Sequence, residues 1–222
     1  MKTLVIPDIH WLDFWEQFVE EEEYDNIVFL WDYVDSFNIP PERILKNLEN
    51  IIEYKKNNPK KVTLLLWNHD VQYMWEEYKC SGYNKNMAMS YWILFKENLN
   101  LFELFTNIWG YFFSHAWISD WFLSEVLSNS KLYITSISAL ESKENRDFFF
   151  RVWSMRWGFH RYGWPIWADK SEVMNSNKLW AIQVIGHTRV NEIERYWDNI
   201  FCDTWENCAD RGVVPEKFVI EY

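Results

Sequence analysis

The chain has 222 residues, a formal net charge of −11 and three cysteines, with 49% of residues apolar and 25% charged. That length makes one large domain or two small ones with material for a sizeable core, and the composition excludes a disordered, collagenous, coiled-coil or disulfide-scaffold chain. The acidic balance argues against a surface that grips DNA or RNA by its phosphates, and no apolar run reaches the roughly 18 residues of a membrane span.

Apolar strand-like runs alternate with helical stretches. Thr3–Pro7 is a continuous apolar run ending at Asp8, and reads as a first strand rather than a signal peptide. Leu12–Glu23 reads as a helix with an acidic, solvated end at Glu20–Glu23. Asn26–Leu30 is a buried strand ending at Asp32. Pro41–Asn57 is a helix: proline opens it, Ile44, Leu48, Ile51 and Ile52 recur at helical spacing, and lysines gather at its C-terminus. Val62–Leu66 is a third strand, ending at Asn68. Val71–Tyr78 and Met87–Phe105 are predicted helical, Gly110–Phe113 a strand ending at His115, and Ser119–Arg151 helical in outline. Arg151–Lys170 reads as an aromatic loop. Ala181–Ile185 is a strand ending at Gly186-His187, and Asn199–Cys202 and Lys217–Glu221 are closing strands. Strands alternating with helices indicate an α/β fold, in which ligands gather outside the carboxyl ends of the strands.

Five strand ends carry chemistry: Asp8-Ile9-His10, Asp32-Tyr33-Val34-Asp35, Asn68-His69-Asp70, Ser114-His115-Ala116 and Gly186-His187-Thr188. Four of the five histidines fall in this set. A lone Asp-x-His is more often a turn and a lone histidine a structural residue, but five such ends in order are not explained that way. Carboxylate, imidazole and amide oxygen suit Mn²⁺, Fe or Zn²⁺ rather than Ca²⁺. The number of donors suits two metals, with a carboxylate bridging them because cations about 3.5–4 Å apart need an anion between. Cys80, Cys202 and Cys208 lack zinc-ligand spacing and read as reduced thiols in a cytoplasm.

In sequence order these ends read DIHW, WDYVD, WNHD, SHAWIS and GHT. The set resembles the calcineurin-like metallophosphoesterases over about residues 3–204, and His187-Thr188 is similar to their protein-phosphatase and dinucleoside-tetraphosphatase branch. The resemblance implies a single domain over 1–222, built as a four-layer α/β/β/α sandwich with two mixed sheets. It assigns Asp8, His10 and Asp32 to one metal, and Asp32 (bridging), Asn68, His115 and His187 to a second. It makes His69 the general acid and Asp35 its orienter. It also implies two divalent ions, Mn²⁺ favoured over Fe or Zn²⁺, and in-line attack of a metal-bridging hydroxide on phosphorus. The implied activity is hydrolysis of phosphomonoesters on a phosphoprotein or a small molecule. A dinucleoside polyphosphate hydrolase and a catalytically dead binding domain are the alternatives. No nucleic acid or membrane partner is expected.

The chain departs from the family pattern in two ways. Ser36-Phe37 follows Asp35 and Leu66 precedes Trp67-Asn68, where the branch carries phosphate-gripping arginines; Arg156 is the expected substitute, with Arg161 the alternative. The second departure is tryptophan. Ordinary usage of about 7% predicts about 16 glycines, whereas the chain has 6 glycines and 16 tryptophans. Trp11, Trp31, Trp67 and Trp117 stand where the family has glycine, and Trp153, Trp157, Trp164 and Trp197 occupy turn-like contexts. By contrast Trp15, Trp75, Trp180 and Trp205 sit where a core aromatic is natural. Glycine serves positive φ or close backbone approach, so the motif tryptophans are expected to crowd the ligands or strain the turns. Either the protein has changed, keeping a binding role, or UGA codons that some bacteria read as glycine stand here as tryptophan; UGG at codons 11, 31, 67 and 117 would exclude the second.

Overall fold

The computed structural model describes residues 1–10, 12–30, 32–36, 39–119, 122, 124, 137–152, 154–156, 158–160, 163, 165–173 and 181–222. The chain divides into two compact units, Met1–Phe102 with Thr204–Tyr222, and Glu103–Asp203.

The first unit is built on β1 (Lys2–Ile6), β2 (Asn26–Phe29) and β3 (Val62–Leu65). β1 pairs parallel with β2 and β2 with β3; β4 (Phe102–Glu103) lies at one edge, and β10 (Phe218–Glu221) pairs antiparallel with β1 at the other. Leu4, Val5, Ile6, Ile27, Val28 and Phe29 are all buried, as expected of parallel strands covered on both faces. Ile6 lies opposite Phe29, and Phe29 opposite Leu64. The three strands therefore end together, and Asp8, Asp32 and Asn68 leave the sheet at one edge.

Helix α1 (Phe14–Glu21) and helix α2 (Pro41–Asn57) are joined through a buried amide: Trp15 Nε1 donates to Asn47 Oδ1 at 2.9 Å, and Asn47 Nδ2 donates to the Leu12 carbonyl at 3.1 Å. The acidic end of α1 is paired rather than merely solvated. Glu22 meets Lys2 at 2.8 Å and Lys217 at 3.3 Å, and Glu21 meets Lys217 at 2.7 Å. Trp205, on α7 (Trp205–Asp210), is buried edge-on against Phe14 and Phe18. Trp15 is buried beside Phe29 and Tyr54, while Trp75 is half-buried beneath Lys96; Trp180 lies outside the described residues.

Two predicted helices differ. In place of Val71–Tyr78 the chain forms α3 (Asn68–Val71) and a 3₁₀ turn at Glu76–Tyr78. The long helix Met87–Phe105 is only α4 (Ala88–Glu97), followed by a 3₁₀ turn and β4. The stop lies at Asn98, whose Nδ2 donates to the Leu94 carbonyl at 2.8 Å; a side-chain amide competing for helix carbonyls is a known way to end a helix.

The second unit carries the sheet β5-β6-β7-β9-β8, with β5 (Thr106–Ile108), β6 (Tyr111–Ser114), β7 (Ile182–Ile185), β8 (Glu194–Tyr196) and β9 (Asn199–Phe201). β6, β7 and β9 are parallel neighbours, and β5 and β8 are antiparallel edges that the sequence reading missed. Ser114 lies opposite Ile185, so His115 and His187 emerge from one edge. Ala116, Trp117, Ala168, Val173, Ile185, Val190 and Phe201 form the core beneath them. Of the stretch predicted helical at 119–151, Lys143–Phe149 forms α5 after a 3₁₀ turn at Ile137–Glu141, and most of 120–136 lies outside the described residues. The aromatic loop 151–170 holds a 3₁₀ turn at Ser154–Arg156 and runs into α6 (Lys170–Val173). The class is α/β with two mixed sheets, as expected. Among the described residues no helix is long and apolar enough to cross a membrane.

Candidate active site

In the first unit the ends of β1 and β2 bring Asp8, His10 and Asp32 together, each offering one ligand atom within 4.8 Å of the others. Both carboxylates are buried. The His10 backbone N–H donates to the Asp32 carbonyl at 2.5 Å, which locks the two loops to one another. His10 Nδ1 faces two carbonyl oxygens, Val34 at 3.2 Å and Asp35 at 3.0 Å. Carbonyls only accept, so Nδ1 carries a proton, which leaves Nε2 as the nitrogen that a neutral imidazole offers a metal. Glu206 Oε2 lies 3.8 Å from that Nε2.

Asn68 opens α3 directly after β3. Its Oδ1 is buried and accepts no hydrogen bond among the described residues. Burying an amide oxygen without a partner is costly, and a cation would satisfy it. Asp70 holds this corner: its Oδ1 accepts the Tyr33 N–H at 3.0 Å and its Oδ2 the Trp67 N–H at 3.3 Å, tying the β2 and β3 loops together. Burial raises the carboxyls of Asp32 and Asp70, the more so at Asp70 because Asp32 lies near. Carboxylates gathered in this way, with an orphaned amide oxygen and a tautomer-locked imidazole, fit divalent cations.

His69 Nδ1 lies 2.9 Å from Asp35 Oδ2. Burial works to lower its pKa, but the nearby Asp32 charge and the Asp35 hydrogen bond outweigh burial and hold it well above the ordinary 6.5. An imidazole held protonated in this way is able to donate a proton.

In the second unit His115 is buried and its ring lies 4.4 Å from that of His187, at 63°. Backbone bonds fix both turns. The Gly186 N–H donates to the His115 carbonyl at 3.0 Å, and the Ala116 N–H to the Pro165 carbonyl at 2.9 Å. Neutral imidazoles suit Zn²⁺, Fe and Mn²⁺.

Four of these side chains sit on left-handed backbone: His10 at φ 48°, Asp32 at 45°, Asp35 at 70° and His187 at 62°. Non-glycine residues held there are uncommon, although Asp and His tolerate the region better than most, and such strain gathers at functional sites. No residue pattern announces it.

The calcineurin-like phosphoesterase family model matches residues 1–208. The chain belongs to the calcineurin-like phosphoesterase family. Among solved structures it is similar in fold to a cold-active protein-tyrosine phosphatase from a psychrophilic Shewanella species, with a TM-score of 0.63 and 15% identity over 99% of this chain and 75% of that one. A point variant of a cold-active protein tyrosine phosphatase gives a TM-score of 0.64 and 16% identity over 99% and 75%. A further structure of such an enzyme gives 0.64 and 15% over 99% and 73%. No curated protein matches the chain.

Against the family pattern, Arg156 points two of its donors, Nε and Nη2, at Asp169 Oδ2. Asp169 is itself set by the backbone N–H and hydroxyl of Ser171. Burial works to raise the Asp169 carboxyl, but Ser171 and Arg156 outweigh it and lower it. Nothing in the sequence marks Asp169 as the partner of Arg156. Arg161, Trp11, Trp31, Trp153, Trp157 and Trp164 lie outside the described residues.

The expected strain is absent at the described motif tryptophans. Trp67 is fully buried on extended backbone, φ −146°, and Trp117 is packed into the core of the second unit. Among the described residues, left-handed tryptophans lie instead at two exposed hairpin tips, Trp109 at φ 52° between β5 and β6 and Trp197 at φ 53° between β8 and β9. These are two-residue loops, with Ile108 paired to Tyr111 and Tyr196 to Asn199. Trp109 is followed by Gly110 at φ 83°, giving the two positive φ values of a type I′ turn. Glycine is the residue such positions favour. Trp197 was expected to occupy a glycine-type turn; Trp109 was not singled out.

Proposed function

We propose that this family member is a dinuclear-metal-dependent phosphatase that hydrolyses phosphomonoesters. The observation that carries the reading is the cluster of Asp8, His10 and Asp32 around a tautomer-locked His10, with His69 and Asp35 paired in the same unit. On this reading Asp8, His10 and Asp32 hold one divalent ion, and the family motifs assign Asp32, Asn68, His115 and His187 to a second. Bound there, Mn²⁺, Fe or Zn²⁺ would supply Lewis-acid charge at the phosphoryl oxygens and lower the pKa of a water. His69 delivers its proton to the departing oxygen, and Asp35 keeps the imidazole turned for that task. Two donors of Arg156 go to Asp169, and a guanidinium has five, so it retains donors for a phosphate. The substrate is a phosphorylated protein or small molecule, and the similarity in fold to protein tyrosine phosphatases supports the phosphatase choice. A cytoplasmic setting accords with the three free cysteines.

The test is hydrolysis of p-nitrophenyl phosphate and of a dinucleoside tetraphosphate by metal-free protein with Mn²⁺ added back. Mn²⁺-dependent release of nitrophenol with about two ions bound per chain is expected. Turnover of the dinucleotide alone would move the reading to a nucleotide hydrolase, and inactivity of folded, metal-loaded protein on both would leave a binding domain.

A further inference from the structure

Asp35 receives more hydrogen bonds than orienting a single histidine requires. Its Oδ2 is met by His69 Nδ1 and by Gln72 Nε2, and its Oδ1 by the Tyr73 hydroxyl. Both added donors are themselves fixed from behind. Gln72 Oε1 accepts the Cys80 N–H at 3.0 Å, and Tyr73 Oη accepts the Asn84 N–H at 2.8 Å. A backbone N–H can only donate, so the Gln72 amide must present its oxygen to Cys80 and its NH₂ to Asp35. With its lone pair given to Asn84, the Tyr73 hydroxyl has its one proton to give to Asp35. Gln72 and Asp35 are buried, and the Tyr73 ring stacks on Tyr83 at 5.1 Å and meets Tyr91 at 4.8 Å. Between the two backbone donors, Gly82 turns at φ 84°, and a Cβ there would come within 3.1 Å of Asp35 Cβ. Segment 80–84 thus closes directly over Asp35.

We propose that Gln72 and Tyr73 are positioning residues for the acid step: with segment 80–84 behind them they fix both oxygens of Asp35 as acceptors, so His69 must donate through Nδ1 and present Nε2 to the leaving group. This rests on the phosphatase reading. Neither residue is a metal ligand, and neither was singled out in the sequence. Gln72 and Tyr73 stand three and four residues after His69, a spacing that places side chains on one side of a helical turn.

The experiment compares Tyr73→Phe, Gln72→Met and His69→Ala with the unaltered protein on p-nitrophenyl phosphate, whose leaving group departs without a proton, and on an alkyl phosphate, whose leaving group needs one. Bound metal is measured for each. For His69→Ala, retained metal and a loss of about 10²–10⁴-fold confined to the alkyl phosphate are expected. Equal loss on both substrates there would reject His69 as the acid, and the proposal with it. With His69→Ala selective, Tyr73→Phe should lower kcat on the alkyl phosphate about tenfold, a part of the acid's contribution, and on p-nitrophenyl phosphate less than about twofold, with metal content unchanged. No loss, or equal loss on both, would overturn the positioning role while leaving the phosphatase reading intact. Gln72→Met should behave in the same way, and answers the question if Tyr73→Phe does not fold. In ¹⁵N-histidine spectra of the unaltered protein the His69 Nδ1 should be protonated; a bare Nδ1 would equally overturn the proposal.

Discussion

The two units hold their site residues by different means. In the second, main-chain bonds fix the turns that carry His115 and His187: parallel strands lie in register, and the Gly186 N–H donates to the His115 carbonyl. In the first, strand register delivers Asp8, Asp32 and Asn68, but side chains finish the work. Asp70 ties two loops, and Asp35 is held by His69, Gln72 and Tyr73. Main-chain placement tolerates changes of side chain nearby. Placement by a buried hydrogen-bond network does not, because losing one partner leaves another buried group unsatisfied. Metal binding, on this view, depends on register, and proton delivery depends on the network.

The comparison is broken most severely at Asp32, the proposed bridge. Asp32→Ala should empty both metal positions and cut kcat by on the order of 10³-fold or more, since several kcal/mol of charge stabilisation is lost. Elemental analysis of the variant decides it, and two retained ions would refute the bridging assignment. Next in size is Arg156→Ala. Losing a charge-assisted contact to phosphate should raise KM by about 10–100-fold with kcat less affected, roughly 1.5–3 kcal/mol; an unchanged KM would make the Arg156–Asp169 pair purely structural.

Trp109→Gly and Trp197→Gly address the second unit's main chain alone. Each relieves a left-handed bulky residue, and each should stabilise by about 1 kcal/mol, read as a raised Tm. Trp67→Gly provides the contrast, since emptying a fully buried indole should cost about 3–5 kcal/mol. If that variant were as stable as the parent, tryptophan would not be the residue this corner is built for, and codon 67 would be the next thing to read.

The smallest effect is at the surface of the first unit. Lys2 and Lys217 hold the Glu22 carboxyl down at about 2, against 4.5 ordinarily. A lowered carboxylate stabilises the fold above the unfolded value and loses that contribution as pH falls through the folded one. Acid melts should therefore show a slight, salt-sensitive drop between pH 4.5 and about 2, which Glu22→Gln removes.

Much of the fold is legible in the sequence. β1, β2, β3 and α2 fall within a residue or two of expectation, because buried parallel strands leave unbroken apolar runs and a proline-started amphipathic helix leaves a 3.6-residue period. β5 and β8 were missed because three-residue edge strands with half-exposed faces carry no such signal. The end of α4 was overrun because Asn98 stops it through one side-chain bond.

For the site, the sequence alone determined which residue types stand at the strand ends and in what order, and with them the family and the metal-type donors. It could do so because strand register converts chain order into spatial order. Only the tertiary structure decided the tautomer of His10, the left-handed backbone at His10, Asp32, Asp35 and His187, the capture of Arg156 by Asp169, and the clamp on Asp35. Each of these depends on where a carbonyl, an amide or a hydroxyl from another turn of chain comes to rest, and no periodicity in the sequence encodes that.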